Sequence, residues 1–474
     1  MSFPYENGSM SLDPTQNNFL YYEDIVAPNV DESLTRRYGS ELLTGFLEMA
    51  GATKVTTNRV FDHFEKDRLM PKLKATSTAA SGAGAAATFT LDSAATYEVP
   101  QNNEPFPPTS SEVIDAIPVR VNDTVLIPPA SGTSAWASLD HGIVVSVDKS
   151  QGTFEVRPLD GTVTLAARSS AVEVVITGNA FGESSGMNDS LDGTVTKYSN
   201  NTQIIKNTYD VSASAKSTKI FFTVNGKKYW SLEGERDAYY RFRNYKELTL
   251  LTSKKATNVS WYDTTAQQGE PNATTSGAID QVYTNGNVET YVDGTGFQLS
   301  NLENIARNLD KNKGSKNNMF MYGFNLGLQI DELIRTDFNN GSLVFGSYKF
   351  SEAQKLNLRM SAIQVGGYTF NFKNFDSFND AQTLGATGLN FSKEGIVMPM
   401  DNQVDAVSGE QVQAMRMRYT SEEGSKSRMI KKAMIDHFNT TQDGKDKYEV
   451  RYLADVGLEM FALNRWAYVT VSGS

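Results

Sequence analysis

The sequence predicts an α+β chain with a small all-β module inserted into it, and three patterns lead there. The C-terminal stretch holds two β-rich runs, Tyr448–Tyr452 and Trp466–Val471, in which aromatic and β-branched residues recur at every second position, as partly buried strands require. Apolar residues spaced three and four apart mark helices in Leu232–Lys254 and after Ser300. Between about Pro118 and Gly178 the texture changes to short alternating runs broken by turns. Taken alone, the two C-terminal runs also fit a simple hairpin. The order of elements upstream points instead to a final strand built into a larger fold.

Composition bounds what the chain can do. Its 474 residues exceed what one core holds, roughly 250 to 300 residues, so several subdomains are expected. Hydrophobic residues make up 39% and charged residues 21%, which is globular, while long Asn, Ser, Thr and Gly stretches predict extended arms and loops. The net charge is -11 with no long block of Lys or Arg, which argues against a dedicated nucleic-acid-binding protein. Cysteine is absent, so disulfides, thiolate metal sites and a Cys nucleophile are excluded. His63, His141 and His437 lie far apart in sequence and read as structural residues. The N-terminus has no secretory pattern and no 18-residue apolar run exists, so the expected place of synthesis and use is a cytoplasm, with no membrane partner.

Each element follows in order. Residues 1 to about 35, with Pro4, Pro14 and Pro28, cannot form a core and read as an arm that needs a partner surface. Leu42, Leu43, Phe46 and Met49 share one face of a helix over Ser40–Met49. Val60–Leu69 reads as a second helical or turn segment, and the Ala/Gly-rich Ala79–Ala87 as a strand flank or linker. Val119–Ile127, Gly142–Val147, Gly152–Arg157 and Ala171–Ile176 are four short strands of a barrel or sandwich, with turns at Asp148–Gly152 and Asp160-Gly161. Pro105–Pro108 and Asn179–Asn201 look like its connections to a host domain, and a purely structural insertion is the favoured reading.

Further along, Lys219–Trp230 holds an Asn225-Gly226 hairpin turn, which feeds a long helix over Leu232–Lys254 with Ala238, Phe242, Tyr245 and Leu248 on one stripe. Ser300 and Glu303 form a capping box for a helix whose stripe is Leu302, Ile305, Ala306 and Leu309. Another helix runs through Leu326, Ile330, Leu333 and Ile334. Strands are expected at Ser342–Phe345, Ser361–Val365, Tyr368–Phe372 and Gly395–Met398. Ser425–Phe438 reads as a solvated amphipathic loop or helix.

No catalytic constellation stands out, and no catalytic, cofactor-binding or metal-binding residue is assigned. Gly182-Glu-Ser-Ser-Gly186 matches the nucleophile-elbow pattern, but no apolar strand runs into Ser184 and no helix follows. Asp443–Asp446 is too short for an EF-hand loop.

The element order, together with short motifs, resembles the major capsid proteins of tailed phages with the Hong Kong 97-type fold. The motifs are Thr275–Asp280, Phe297–Ala306, Met319–Gly323 and Gly457–Val469; more narrowly they resemble those of crAss-like phages. The resemblance implies an N-terminal arm (1–62), an extended-loop region (63–117 and 179–230) and an inserted β domain (118–178). It also implies a peripheral domain with a spine helix (231–298 and 400–474) and an axial domain (299–399). The implied function is self-assembly through pentamers and hexamers into the icosahedral shell of a virion. That shell encloses double-stranded DNA without sequence-specific binding, meets portal and decoration proteins, and is assembled in the bacterial host cytoplasm. Two other classes share part of this texture: a tail, fibre or adhesion protein, which should show repeats, and a carbohydrate-active hydrolase, which should show a cleft with convergent carboxylates.

Overall fold

A computed structural model describes residues 52–66, 73–91, 105–106, 119–129, 136–148, 151–188, 195–212, 214, 223–224, 227–256, 274–339, 362–380, 383–386, 388–404, 411–422, 426–437 and 445–472. The expected helix over Ser40–Met49, the strand at Ser342–Phe345 and the Asn225-Gly226 turn itself lie outside these residues.

Strand β24 (Lys447–Met460) organises the first sheet. One edge pairs antiparallel with β11 (Gln203–Ser212), from Gln203 opposite Val456 to Ser212 opposite Lys447. The other edge is divided between two strands. β23 (Lys431–Asp436) takes Tyr448 through Leu453, and β21 (Met415–Glu422) takes Val456 through Met460. β1 (Thr53–Thr56) lies parallel to β21, and β22 (Lys426–Ser427) folds back on its far end. Ser425–Phe438, expected as a loop or helix, is thus strand over much of its length. Edge pairing to β24 fixes Lys431–Asp436 extended, overriding the helical spacing of its apolar residues.

Alternation along β24 separates two chemistries. Val450, Tyr452, Ala454, Val456, Leu458 and Met460 enter one apolar cluster, while Glu449, Asp455 and Glu459 are buried on the opposite face. Against the apolar face lies α1 (Tyr229–Thr252), 24 residues and therefore about 36 Å long. The hairpin of β12 (Thr223–Val224) and β13 (Lys227–Lys228), with Val224 opposite Lys227, leads straight into it. Ala238, Phe242 and Leu250 face the sheet, with the Phe242 ring 5.7 Å from Tyr452. Tyr245, expected on this stripe, faces outward. The buried i, i+4 row runs Ala238, Phe242, Lys246, Leu250, and a buried lysine in it disguises its phase.

The second sheet runs in spatial order β14 (Asn287–Val292), β25 (Ala467–Ser472), β18 (Gly395–Pro399), β15 (Asn317–Tyr322), β17 (Tyr368–Asn374), β16 (Ala362–Val365). Helices α3 (Leu299–Lys311) and α4 (Phe324–Asn339) cover one face through Leu302, Ile305, Leu309, Leu326 and Ile330, which meet Phe320, Phe370, Val397 and Val469. The alternate residues Met321, Ile396, Met398 and Tyr468 point the other way into the cluster beneath α1. A short helix, α2 (Ala278–Asn285), adds Ala278 and Val282 to that cluster. The two sheets therefore share a core, and β18 is buried along its whole length between two clusters. Gly366 and Gly367 close the β16–β17 hairpin at φ +57° and +84°, the two positive values that a two-residue turn of this twist demands.

The final strand is built into the larger fold, as the element order indicates: β24 and β25 belong to different sheets, and the chain crosses between them through Ala462 at φ +51° and a short 3-10 turn at Leu463–Arg465. One expectation about a helix end is corrected. Helix α3 starts at Leu299, and its capping box joins Gln298 to Asn301 instead of Ser300 to Glu303. An amide pair performs the reciprocal bonding that the sequence pattern assigns to hydroxyl and carboxylate.

The inserted module is a closed barrel of β3 (Leu73–Ser77), β4 (Ala87–Leu91), β8 (Thr153–Pro158), β7 (Asp140–Asp148), β6 (Asp123–Ile127) and β9 (Arg168–Asn179), in that order around the wall. It has its own core, in which Leu73, Phe89, Val125, Ile127, Phe154 and Val174 converge and the Phe89 and Phe154 rings stack at 5.4 Å. The four strands expected within 118–178 are present, and β3 and β4 join them from the segment before. The Ala79–Ala87 stretch is the β3–β4 connection, held to the wall by Ala80 N–H donating to Leu165 O at 2.9 Å. A ribbon ordered β2 (Val60–Lys66), β10 (Val195–Asn201), β5 (Pro105–Phe106) links barrel and first sheet. Val60–Leu69, expected to be helical or a turn, is strand over Val60–Lys66 because β10 pairs with it at every position. A small β19 (Gln403–Val404) and β20 (Gln411–Val412) hairpin precedes β21.

Phe320→Ala removes a ring with no solvent exposure from the second cluster, and the expected loss is about 3 to 5 kcal/mol, read as a lower urea midpoint.

Candidate functional site at the ribbon junction

The ribbon docks on the carboxylate face of β24, and its own alternation makes that possible. Phe61, His63 and Glu65 turn toward the sheet, while Val60, Asp62 and Phe64 face solvent, where Asp62 pairs with Lys197 at 3.1 Å. Contact is close enough to exclude any side chain on β24 at position 457. A Cβ on Gly457 would sit 2.5 Å from Asn201 O and 2.8 Å from the Phe61 ring. Asn200 ties three elements together: its Nδ2 donates to Ser276 O and Leu458 O, and its Oδ1 accepts from Ser276 N–H at 2.9 Å. Gln281 of α2 donates to the same two carbonyls at 2.8 and 3.0 Å. The amide of Ala462, at the crossing between the sheets, donates to Glu65 Oε1 at 2.6 Å.

Glu459 is the centre of this junction. Arg418 approaches it in a two-pronged pair, Nε to Oε2 at 2.6 Å and Nη2 to Oε1 at 2.8 Å, and Arg416 Nε donates to Oε2 as well. The guanidiniums are themselves sandwiched, Arg416 4.6 Å from the Phe461 ring centre and Arg418 5.7 Å from that of Phe61. Burial pushes the Glu459 carboxyl up, and the hydrogen bonds from Arg418 and Arg416 outweigh it, so the group is held below the usual carboxylate range. His63 lies between carboxylates, 3.6 Å from Glu459 through Nδ1 and 3.6 Å from Glu65 through Nε2, with its ring stacked 5.2 Å from Tyr198.

The other two carboxylates of the row are matched from different strands. The Thr420 hydroxyl of β21 donates to Asp455 Oδ2 at 2.6 Å. Glu449 accepts from Arg451 at 2.7 Å and meets His437, and the Arg451 bonds lead in holding its carboxyl down at about 2, against the opposing pull of burial. Glu459 and Glu449 are thus matched by charged partners, and Asp455 by the Thr420 hydroxyl with Arg428 3.8 Å away, so the arrangement holds elements together. The three histidines stay apart: His63 at the ribbon, His437 beside Glu449, and His141 on the barrel wall against Trp136. Ser184 sits in an exposed tight turn closed by Ser185 N–H to Gly182 O, and no helix follows it in 185–188. Among the described residues no group of His, Asp or Glu has metal-ligand geometry. Neither the Glu459–Arg418–Arg416 cluster nor the Glu449–His437 pair was singled out in sequence. Their only trace there is the alternation of charge in Met415-Arg-Met-Arg418 and Gly457-Leu-Glu459.

Two tests follow from these pairings. Glu459→Gln leaves the buried Arg418 and the half-buried Arg416 short of their anion and should cost about 3 to 5 kcal/mol, with faster proteolysis in the ribbon. Both Glu449 and Glu459 hold their protons more weakly folded than unfolded, so their contribution is complete above about pH 4.5, the ordinary Glu value, and is lost as pH falls toward about 2. Urea midpoints should hold between pH 7 and about pH 5.5 and fall at about pH 3.

Residues 25–349 match the family model described as SU10 major capsid protein, a span that runs from before β1 through the ribbon, barrel and α1 into the second sheet and beyond α4. No curated protein matches the chain. Solved structures similar to it include Gordonia phage Cozz, at 10% identity over 63% of this chain and 78% of that one, with a TM-score of 0.35. The capsid of Myoviridae phage XM1 is 14% identical over 61% of this chain and 81% of that one, with a TM-score of 0.33. The holo-SrpI encapsulin complex from Synechococcus elongatus is 9% identical over 60% and 77%, also at 0.33. The family match stands at a broader level than the crAss-like capsids that the short motifs suggest. In the structure a long helix follows a two-stranded excursion, a helix-bearing sheet comes next, and a long strand returns beside the helix, the order expected of a Hong Kong 97-type subunit. A major capsid protein forms the shell of the virion and is structural, not an enzyme. With more than half of its length matched by that one model, the chain belongs to the SU10 major capsid protein family.

Proposed function

We propose that the chain self-assembles through pentamers and hexamers into an icosahedral shell enclosing double-stranded DNA, in the cytoplasm of a bacterial host, where portal and decoration proteins join it. The observation that carries this reading is the continuous family match over residues 25–349, which covers ribbon, barrel and long helix together instead of one module. Within it, 1–62 acts as the arm, 63–117 and 179–230 as the extended-loop region, and 118–178 as the core of the inserted domain. The peripheral domain comprises 231–298 and 400–474, and the axial domain 299–399. The arm cannot bury its scattered aromatics alone and takes its surface from a neighbouring subunit. A net charge of -11 keeps packaged DNA enclosed but not adsorbed, since phosphate neutralisation would need a basic face. No cofactor, metal or catalytic residue takes part.

Negative-stain microscopy with mass photometry of the full-length chain, beside a chain lacking residues 1–35, tests the reading. Shells or five- and six-membered rings, lost on truncation, are expected. A monomer that persists at high concentration and ignores the truncation would overturn it.

A further inference from the structure

The outer wall of the barrel carries an unbroken apolar strip that its own core does not use. Residues directly opposite one another on antiparallel strands point to the same face. Val175 of β9 lies opposite Leu126 of β6, and Leu126 opposite His141 of β7. Beyond them the Leu159 amide, just past β8, donates to His141 O at 2.9 Å, and the Trp136 ring packs edge-on against His141 at 4.9 Å. The neighbouring residues Val125, Val144 and Val174 fill the interior, so this row is exterior. Trp136 is 72% exposed, Leu159 58% and Val175 54%. At strand spacings of about 4.8 Å the row is roughly 14 Å across. Soluble proteins seldom leave an ordered apolar row in water unless something covers it.

We infer that this strip is where the barrel of one subunit meets the barrel of a second copy across a two-fold axis. Charge selects that occupant. Residues 73–91 and 119–179 hold five basic and six acidic side chains, whereas the chain as a whole carries -11. Two barrels therefore approach without the mutual repulsion that other faces of this acidic subunit would bring, and a row free of Asp, Glu, Lys and Arg meeting its own copy is the self-complementary patch a two-fold contact requires. Size sets when it forms. Five side chains cover far less than the roughly 800 Å² per partner of a stable dimer, so free subunits stay apart through this face. The contact holds once a shell presents many copies in register, each raising the effective concentration of the next. The inference rests on the shell-building reading above, and its test separates the two.

The chain has no cysteine, so a single introduced thiol is unique. Leu126→Cys, His141→Cys and Leu159→Cys would each be made in the full chain, assembled, and oxidised with copper phenanthroline, with Gln151→Cys as control in the turn at the far end of the β7–β8 hairpin. The expected result is covalent dimer on non-reducing gels from at least one strip position, at least tenfold above both the control and the same variant before assembly. A paired Val175→Asp, Leu159→Asp chain should keep the thermal midpoint of the free subunit and lose particle yield about tenfold. Intact particles with no dimer at any strip position would overturn the two-fold contact while leaving the shell reading in place, and would turn the strip toward a decoration partner. Failure of the unsubstituted chain to form particles would overturn both.

Discussion

Everything in this subunit depends on one strand having two unlike faces. β24 is hydrogen-bonded along both edges, to β11 on one side and to β23 and β21 in succession on the other, so it has no freedom to shift. Its apolar face gathers α1, α2 and the inner face of the second sheet, since Val450, Ala454, Val456 and Leu458 share one cluster with Phe242, Val282 and Ile396. Its carboxylate face obliges the ribbon to bring Phe61 and His63, and obliges β21 to bring arginines, because Glu459 has no water to turn to. Gly457 lets the two layers close, since any larger residue would hold the ribbon off by the width of a side chain.

The cost of burying Glu449, Asp455 and Glu459 is not repaid in raw stability, because apolar residues of similar size often do as well as a buried ion pair. What the row supplies is register. A slip of β24 by one residue would send all three carboxylates into the cluster under α1 and set Val456 and Leu458 against Arg418. An apolar row on both faces would tolerate that slip with far less penalty. In a long strand with three different edge partners, a register error in one pairing would propagate to the others. The charges make the error expensive at three separated points.

Much of this architecture is legible in sequence where local pattern and final environment agree. The alternation in Tyr448–Tyr452 is read correctly because its apolar residues keep the period of two while polar ones take the other face, and the stripe of Leu302, Ile305 and Leu309 because α3 has one buried and one open face. Legibility fails where both faces are buried or the buried residue is polar. Lys246 in the buried row of α1 moved the apparent stripe to Tyr245. β3 and β4 pack Ala75 and Ala87 into the barrel wall, and small residues beside an Ala/Gly run read as low complexity. β2 shows apolar side chains on both faces, Phe61 toward the sheet and Val60 and Phe64 away from it, which erases the period of two. The separate destinations of β24 and β25 are a matter of topology, which no local pattern encodes. The Glu459 cluster was invisible for a related reason: Arg418 of β21 is 41 residues from Glu459 of β24, and His63 of β2 is hundreds of residues from both.

The division of cores explains how a barrel is carried without disturbing the shell-forming part. The barrel's cluster shares no residue with the two that bracket the second sheet, so its wall is free to vary while β18 and β24 stay packed. What joins them is the ribbon, and the ribbon is fixed at its base by directional bonds through Asn200 and Glu65 instead of by a continuous apolar core. Directional bonds set an angle as well as an affinity, whereas apolar contact alone is not directional. A domain mounted through a narrow ribbon needs that angle held if its outer surface is to meet a neighbour at one place. The polar junction at the base and the apolar strip on the barrel wall are on this view two ends of one lever: the charges aim it, and the strip is where it lands.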